Sequence, residues 1–581
     1  MTVLNRSANR SLTRSLAGSL TLSVRRHRAP YVLALGLAVW AAAAFRLGQL
    51  RHDRFATFGF DLAIHDQAIW LLAHLRDPFI TIRGMDTFGH HFTPIYWLLA
   101  PISWLGGGPH ALLMLQIAGQ LLGGVALYLL TVDLLGTAFR WMGVLIAGAF
   151  LLHPTNGWLV WEFFHPEVLA LGPLLMAYRA ARTQRWRAFA MWGLIAACTK
   201  EDMMLALAMI GLSVVLPVTK DRLRGLGIFA IWAGAYLIAA RAIGTWRAGG
   251  PPPYETYYQP YGDSQFSVLF HFVAHPGDIW SVLFDGDRRE YFKVLLVPAG
   301  ALLPLIGWRG FAIGLPVLFG NLAVGPGYPY THDYRFHYSA IVLAAIFLGV
   351  VESMVTMQSF AQPRVRSVSK YWYALPAALL AVTTAIGYYA WSPGPGARAF
   401  RAGAWPIAES ESVAALFAGT IDVDRYGNTE AKRAALNVVP PEAATSAMYN
   451  MIAHLSHREG AYEWPNPWIP VNWGLSAGQG RQADPATLQY IVLEPDVAFG
   501  TKITRSGAQF QQAELFEHLM AREFEVVFGR DGVIVAKRIR PPECFVVSSA
   551  LQSMLGPAFA VERREDEIPS ELKVCPVALA P

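Results

Sequence analysis

Residues 111–130 read ALLMLQIAGQLLGGVALYLL. Twenty residues without a charge match the length an α-helix needs to cross the ~30 Å hydrocarbon core of a bilayer. Similar runs recur along the chain, among them YVLALGLAVWAAAAF at 31–45 and YSAIVLAAIFLGVV at 338–351. Of the 581 residues, 54% are hydrophobic and only 15% charged, against roughly 25% charged in a soluble globular protein. Runs this numerous exceed what one soluble core can take up. The chain reads as mainly α, a polytopic helical membrane protein.

Working outward from that stretch, eleven membrane segments are expected, at 30–48, 110–134, 139–153, 166–181, 187–200, 203–219, 225–243, 291–307, 310–325, 337–354 and 371–391. The segments near 187–219 are short and fit one broken hairpin equally well. The stretch TPIYWLLAPISWL (93–105) is apolar but interrupted by Pro94 and Pro101, and is expected at the membrane interface. An odd count sets the two chain ends on opposite sides.

Charge tests the count. The connections on the N-terminal side hold 18 Lys/Arg, with Asp221 as their one clear acid, whereas the opposite loops hold nine Lys/Arg and 16 Asp/Glu. Cytoplasmic loops carry the excess of Lys/Arg, so the basic N-terminus (1–29) is expected in the cytoplasm of a multi-pass inner-membrane protein. It reads as the start of an uncleaved signal anchor. The net charge of +6 is then a topological signal, and nucleic acid is not an expected partner.

From about residue 392 the composition changes. WSPGPGARAFRAG is a Pro/Gly linker. LQYIVLEPDVAF (488–499) reads as a buried strand and a turn, FEVVFGRDGVIVAKRI (524–539) as a hairpin around Asp-Gly, and PPEAATSAMYNMIAHLSHRE (440–459) as a helix. The expected organisation is therefore a membrane domain over 30–391, with a first outer loop at 51–109, and an extracytoplasmic α/β or α+β domain over 392–581. In an oxidising compartment Cys544 and Cys575 become a candidate disulfide. Cys198 lies in an apolar segment.

Chemistry is expected in the outer loops. GFDLAIHDQAIW (59–70) carries two aspartates and a histidine. On a helix over 61–75, Asp61 and His65 share a face four residues apart. Asp66 points about 140° away, since each residue turns roughly 100°. Asp61 has two readings, a helix cap or an active group. RGMDTFGHHFTP adds His90 and His91; HPTNGWLVWEFFHPE (153–167) adds Glu162 and His165; TKEDMM (199–204) adds Lys200, Glu201 and Asp202. YPYTHDYRFHYSA (328–340) adds Arg335, His337 and Tyr338, and the tyrosines at 254, 257, 258 and 261 suit either an aromatic belt or a sugar-stacking surface. Ionisable groups near membrane depth cost about 2.5–3.5 kcal/mol each on insertion scales and usually line a polar cavity. A carboxylate can accept a hydroxyl proton, and a cation can stabilise a departing phosphate. Metal binding is the competing use, with Asp61, His91 and His165 as candidate ligands, although neither HExxH nor CxxC spacing occurs.

Taken together, FDLAIHDQAIW, GHHFTPIYWLLAP, WEFFHPEVLALGPLLMAY, TKEDMMLALAMIGL and YRFHYSA resemble a family of polytopic bacterial and archaeal membrane proteins defined as a domain of unknown function and grouped with the GT-C glycosyltransferases. The resemblance covers roughly 40–350, more weakly 440–495. It implies a GT-C-like fold with a large first outer loop. It also implies a sugar donor on a polyprenyl phosphate, a glycan, lipid or protein acceptor, and room for a divalent metal ion. Asp61 matches the first-loop acidic position, with Asp66 the alternative. His165 matches a Phe-His-Pro element, Lys200, Glu201 and Asp202 a Lys-Glu-Asp element, and Arg335, His337 and Tyr338 a Tyr-rich element. Better-known GT-C enzymes often carry an adjacent acidic pair in that loop; here the acids are five residues apart. The expected function is a membrane glycosyltransferase on the outer face, with Asp61 accepting the acceptor proton, Lys200 and Arg335 binding phosphate, and His65, His90, His91 and His165 contacting substrate. The alternatives are a membrane transporter or a non-catalytic metal- or ligand-binding sensor.

Overall fold

A computed structural model of the chain describes residues 28–217, 219–246, 253–263, 265–361, 373–398, 428–474, 484–500, 507–556, 559–562 and 571–576. The basic N-terminus up to residue 27 and most of the connection at 355–370 lie outside the described residues, as does much of the Pro/Gly linker.

The run at 111–130 lies within the helix Pro109–Leu135, which has proline at its first turn and ends at Gly136, whose φ is 97°. At 1.5 Å per residue, its 27 residues reach about 40 Å, enough to cross a membrane. Among the described residues five helices are long and apolar enough to do so: Arg28–Asp53, Pro109–Leu135, Arg222–Trp246, His337–Phe360 and Ala374–Trp391. A sixth candidate is the pair Thr137–Leu152 and Pro154–Trp161, bent by 48° where Pro154 removes a backbone donor. The other five expected segments form shorter pieces, among them Leu171–Arg182, Trp186–Ala197, Asp202–Ile210, Leu303–Ile306 and Leu315–Leu322. Pro298, Gly300 at φ 84°, Pro304 and Gly307 break the stretch 291–307.

Burial sorts these helices. The apolar window of His337–Phe360 is 83% buried, and that helix is the central post. The windows of Arg28–Asp53 and Arg222–Trp246 are 22% and 17% buried, leaving Leu35, Val39, Ile231 and Ile238 exposed on their outer faces. Apolar side chains presented outward on a spanning helix meet lipid.

Glycine sets the closest approach. A Cβ on Gly119 would lie 2.5 Å from the carbonyl oxygen of Leu169 and 2.7 Å from its Cα, both backbone atoms that cannot rotate away. Close backbone approach at small residues is how membrane helices gain packing contacts. Gly119→Val is expected to cost about 3 kcal/mol or more and to lower the thermal midpoint of the purified protein. Gly36→Ala is the control, since a Cβ there meets nothing within 4 Å.

The C-terminal region builds a five-stranded mixed sheet in the order Ala461–Glu463, Thr445–Ala447, Tyr490–Leu493, Val533–Arg538, Phe524–Arg530. Thr445–Ala447 runs parallel to both neighbours, while Ile491 pairs antiparallel with Ala536. The hairpin turns at Asp531-Gly532, both at positive φ. The helix expected over 440–459 does not form. Thr445–Ala447 is instead a fully buried strand and Ile452–His454 one 3-10 turn, because strand pairing on both sides outweighs local helix preference. The helices of this region are Thr429–Val438 and Gln509–Arg522. A second, three-stranded sheet pairs Glu571–Pro576 with Phe545–Ser548 and Phe559–Glu562, and Cys544 is bonded to Cys575 across it.

This region and the loop after the first helix share one apolar core. Leu62, Ala68, Ile69 and Leu72 cluster with Ile452, Tyr462, Ile491 and Val492. The Gly59 amide donates to the Tyr449 carbonyl at 2.7 Å, Gln67 Nε2 to that of Arg458 at 3.0 Å, and Gly474 to that of Arg83 at 2.8 Å. A Cβ on Gly59 would meet Ile452 at 2.5 Å and Glu463 at 2.6 Å, so the loop needs glycine where the sheet region sits on it.

Candidate functional site

Two glutamines inside the opening apolar stretch anchor the site. Gln116 Nε2 donates to the Leu159 carbonyl at 2.5 Å while its Oε1 accepts from the His165 amide at 2.7 Å. Gln120 Nε2 donates to the Asn156 carbonyl at 3.0 Å. One spanning helix thereby fixes the break between Trp161 and Pro166, where Glu162, His165 and Glu167 are displayed. Arg51, fully buried, stacks on Trp161 and Phe163 and donates to the carbonyls of Trp161 and Ala56.

Asp61 is not on a regular helix. Gly59–Ala63 is a single π-type turn in which Asp61 takes φ 72°, ψ −76°, and the helix proper is Ile64–Ala73. Neither of these helix starts has a side-chain cap, so Asp61 does not serve as one. Its carboxylate turns instead into a cavity of about 410 Å³ walled by Asp61, His65, Arg83, His90, His91, Glu162, His165, Glu167, Lys200, His337 and four tyrosines, 257, 328, 330 and 338.

Within this wall the polar groups are ordered. His165 Nε2 lies 3.5 Å from Asp61 Oδ2. The His165 ring stacks on that of His337, centroids 3.8 Å apart and planes 16° off parallel, and meets the His65 ring at 74°. His337 Nδ1 is 3.0 Å from Glu162 Oε1. Lys200, 4% exposed, donates to Glu167 at 2.9 Å and lies 3.6 Å from Asp202. His65 Nδ1 is 2.5 Å from the Tyr96 hydroxyl. Glu201 holds the loop by accepting from the Phe92 amide at 2.9 Å and pairing with His91 Nδ1 at 2.7 Å.

Protonation follows from these neighbours. Burial works to raise the Asp61 pKa, but His165, with His337 and His65 behind it, more than reverses this and holds the carboxyl below its ordinary range. Burial lowers His65 to about 3, keeping it neutral, and also depresses His90 and His91. Asp61 is thus an ionised carboxylate. His165 is 3% exposed and neither of its ring nitrogens makes a hydrogen bond. An unsatisfied buried group costs roughly 1–3 kcal/mol.

Not every sequence candidate is gathered here. Asp66 is turned away, with Ser456 donating to it at 2.6 Å and His457 Nε2 at 2.9 Å. It ties the loop to the C-terminal region, in keeping with the 140° that separates it from Asp61. Arg335 is exposed and chelated by its neighbour Asp333 at 2.6 Å; it is not part of the cavity wall. The buried cation the sequence reading missed is Arg83, 8% exposed, stacked on Phe60 and donating to the Asn472 carbonyl. Its one local cue is an arginine beside Gly84 in an outer loop. Glu167 was also missed, although it closes the His-Pro-Glu triplet. Asp202 lines a second cavity, again about 410 Å³, which shares His91, Lys200, Tyr257 and Tyr338 with the first and continues along Leu205, Val268, Leu269, Val317 and Phe319. Among the described residues two triads bring ligand atoms within 4.8 Å of one another: Asp61, His65, His165 and Glu162, His165, His337.

The fold and the site describe a multi-pass helical membrane protein with a polar cavity and a sheet-bearing C-terminal region. Residues 51–535 match the family of predicted membrane proteins DUF2079, and the chain belongs to that family. A crystal structure of ArnT from Cupriavidus metallidurans bound to undecaprenyl phosphate is similar at 13% identity and a TM-score of 0.42, over 87% of this chain and 98% of that one. No curated protein matches the sequence.

Proposed function

We propose that the protein is a membrane glycosyltransferase of GT-C type, taking a sugar from a polyprenyl-phosphate donor and passing it to an acceptor on the outer face of the cytoplasmic membrane. The observation that carries this reading is an ionised Asp61 sharing one cavity with two buried cations, Arg83 and Lys200. Asp61 would take the proton from the acceptor hydroxyl as its oxygen attacks the anomeric carbon. The bond from that carbon to the phosphate oxygen would break, and the phosphate would leave with the electron pair, stabilised by Lys200 and Arg83. Arg83 takes the role expected of Arg335. The four tyrosines of the wall offer faces against which a sugar ring can lie, and His90, His91 and His165 offer polar contacts. The second cavity, polar at Lys200 and apolar beyond it, suits a phosphate carried on a hydrocarbon chain. The charge asymmetry of the loops supports a cytoplasmic N-terminus and an outward-facing C-terminal domain.

Thermal unfolding of the purified protein with added polyprenyl phosphate tests the donor site without needing the acceptor. Saturable stabilisation is expected, because a ligand bound only to the folded state raises the midpoint, and Arg83→Gln should weaken it about tenfold. A midpoint unmoved by polyprenyl phosphate would remove the donor assignment.

A further inference from the structure

We infer that Trp473 is a positioning residue that seats Arg83 in the cavity wall, so that a segment of the C-terminal region completes the donor-phosphate site. The inference rests on the proposed reading of Arg83 as a phosphate-binding cation. Lys200, the other buried cation of the wall, is held at 2.9 Å by Glu167 from within the membrane domain. Arg83 is held differently. It sits in the turn between the two-residue strands Phe79–Ile80 and Met85–Asp86, which pair over two rungs only. A two-stranded hairpin is marginally stable at best by itself, so the shape of this turn is set from outside.

The C-terminal region supplies that support at several points. Thr81 Oγ1 donates to the Glu459 carbonyl at 2.8 Å and accepts from the Ala461 amide at 2.9 Å. The Arg83 carbonyl accepts from the Gly474 amide at 2.8 Å, and its guanidinium donates to the Asn472 carbonyl. Between these two contacts lies Trp473. Its indole covers Gly84, at φ 68°, so closely that a Cβ there would run into the ring. The Tyr462 ring stacks on the indole with centroids 5.7 Å apart and planes 16° off parallel, and the Phe79 ring lies 6.2 Å away. Trp473 thus joins the hairpin to the strand Ala461–Glu463.

Seating the turn seats the cation. The Arg83 guanidinium lies 4.7 Å over the ring of Phe60, the residue before Asp61. Phe60, Asp61 and Arg83 line one cavity with Tyr257 and Tyr330. A mobile arginine loses rotamer freedom when it clasps a phosphate, whereas one already in place does not, a difference of about two- to tenfold in affinity. Replacing Trp473 by alanine keeps every charge of the site and removes only what holds the turn.

The test measures binding of farnesyl phosphate, a short polyprenyl phosphate, and of uncharged farnesol to the full-length protein by thermal-midpoint titration. Wild type, Trp473→Ala, Arg83→Gln and the double variant are compared. Trp473→Ala should weaken farnesyl phosphate about fivefold and leave farnesol unchanged. In the Arg83→Gln background it should cost nothing further, because two residues that act through one group are not additive. Trp473→Phe, which keeps an aromatic ring against Gly84, should recover most of the affinity. Gly84→Ala pushes the same ring away from the hairpin side and should reproduce the loss, which keeps the test open if Trp473→Ala does not fold. Equal weakening of both compounds, or the same loss with and without Arg83, would mark Trp473 as packing alone and overturn the inference. Wild-type affinity in Trp473→Ala and Gly84→Ala, with Arg83→Gln weakened, overturns it too and leaves the donor reading standing. Farnesyl phosphate binding that is absent in wild type or indifferent to Arg83→Gln removes the donor reading and this inference with it.

Discussion

Asp61→Asn is expected to lower sugar transfer by about 10²- to 10⁴-fold, the contribution of a positioned general base, while the protein still inserts and folds. The substitution is unusually clean at this position. Asp61 holds φ 72°, and asparagine tolerates the left-handed region about as well as aspartate does. Alanine would add backbone strain and confuse the result. The change removes the acceptor for the hydroxyl proton and leaves the shape of the cavity. The pH profile gives a second reading of the same group. Because its neighbours hold the Asp61 carboxyl below the ordinary range, it stays deprotonated as pH falls through 5. The acid limb due to Asp61 should therefore lie below about pH 4, the ordinary value for a free aspartate. Initial rates of polyprenyl-phosphate release across pH, measured for wild type and Asp61→Asn, check both statements.

The second large effect concerns stability. Lys200→Met is expected to destabilise the protein by about 3–5 kcal/mol, because it leaves the buried Glu167 carboxylate uncompensated. Glu167 lies 2.9 Å from the lysine Nζ and is 5% exposed, and Asp202 lies 3.6 Å away. Adding Glu167→Gln should recover much of that loss, since a buried pair removed together costs far less than one left half-paired. Transfer should stay absent in the double variant if Lys200 binds the leaving phosphate. Thermal midpoints of the two single variants and the double variant, with transfer measured on each folded protein, separate the two roles. Additive midpoints would show that the pair does not couple.

Hydropathy made the longest membrane helices legible, because burial in lipid imposes length and composition directly on the sequence. Pro109–Leu135 and the heavily buried post His337–Phe360 could be read from composition alone. The count beyond the six longest candidates could not, because Pro298, Gly300 and Pro304 cut helices without making the sequence less apolar. Asp61 and His65 line one cavity, but through a π-type turn and a left-handed residue rather than the helix face that the i, i+4 spacing suggests. Asp66 and Arg335 do not line that cavity. Their partners, Ser456 and His457 for the one and Asp333 for the other, depend on tertiary placement or rotamer, which spacing does not encode. Arg83 was missed because the Asn472 carbonyl that holds it lies 389 residues away. The strand at Thr445–Ala447 was read as helix because its pairing partners, 461–463 and 490–493, are equally invisible to local pattern.

In the proposed function Asp61 sits in a site that consumes a lipid-linked sugar. The most direct measurement is mass spectrometry of polyprenyl-phosphate sugars and surface glycans in cells lacking the gene, complemented with wild-type or Asp61→Asn protein. One polyprenyl-phosphate sugar is expected to accumulate on deletion, to return to its normal level with wild type and to stay high with Asp61→Asn. A lipid-linked sugar pool and glycan profile unchanged by deletion, or fully restored by Asp61→Asn, would contradict it.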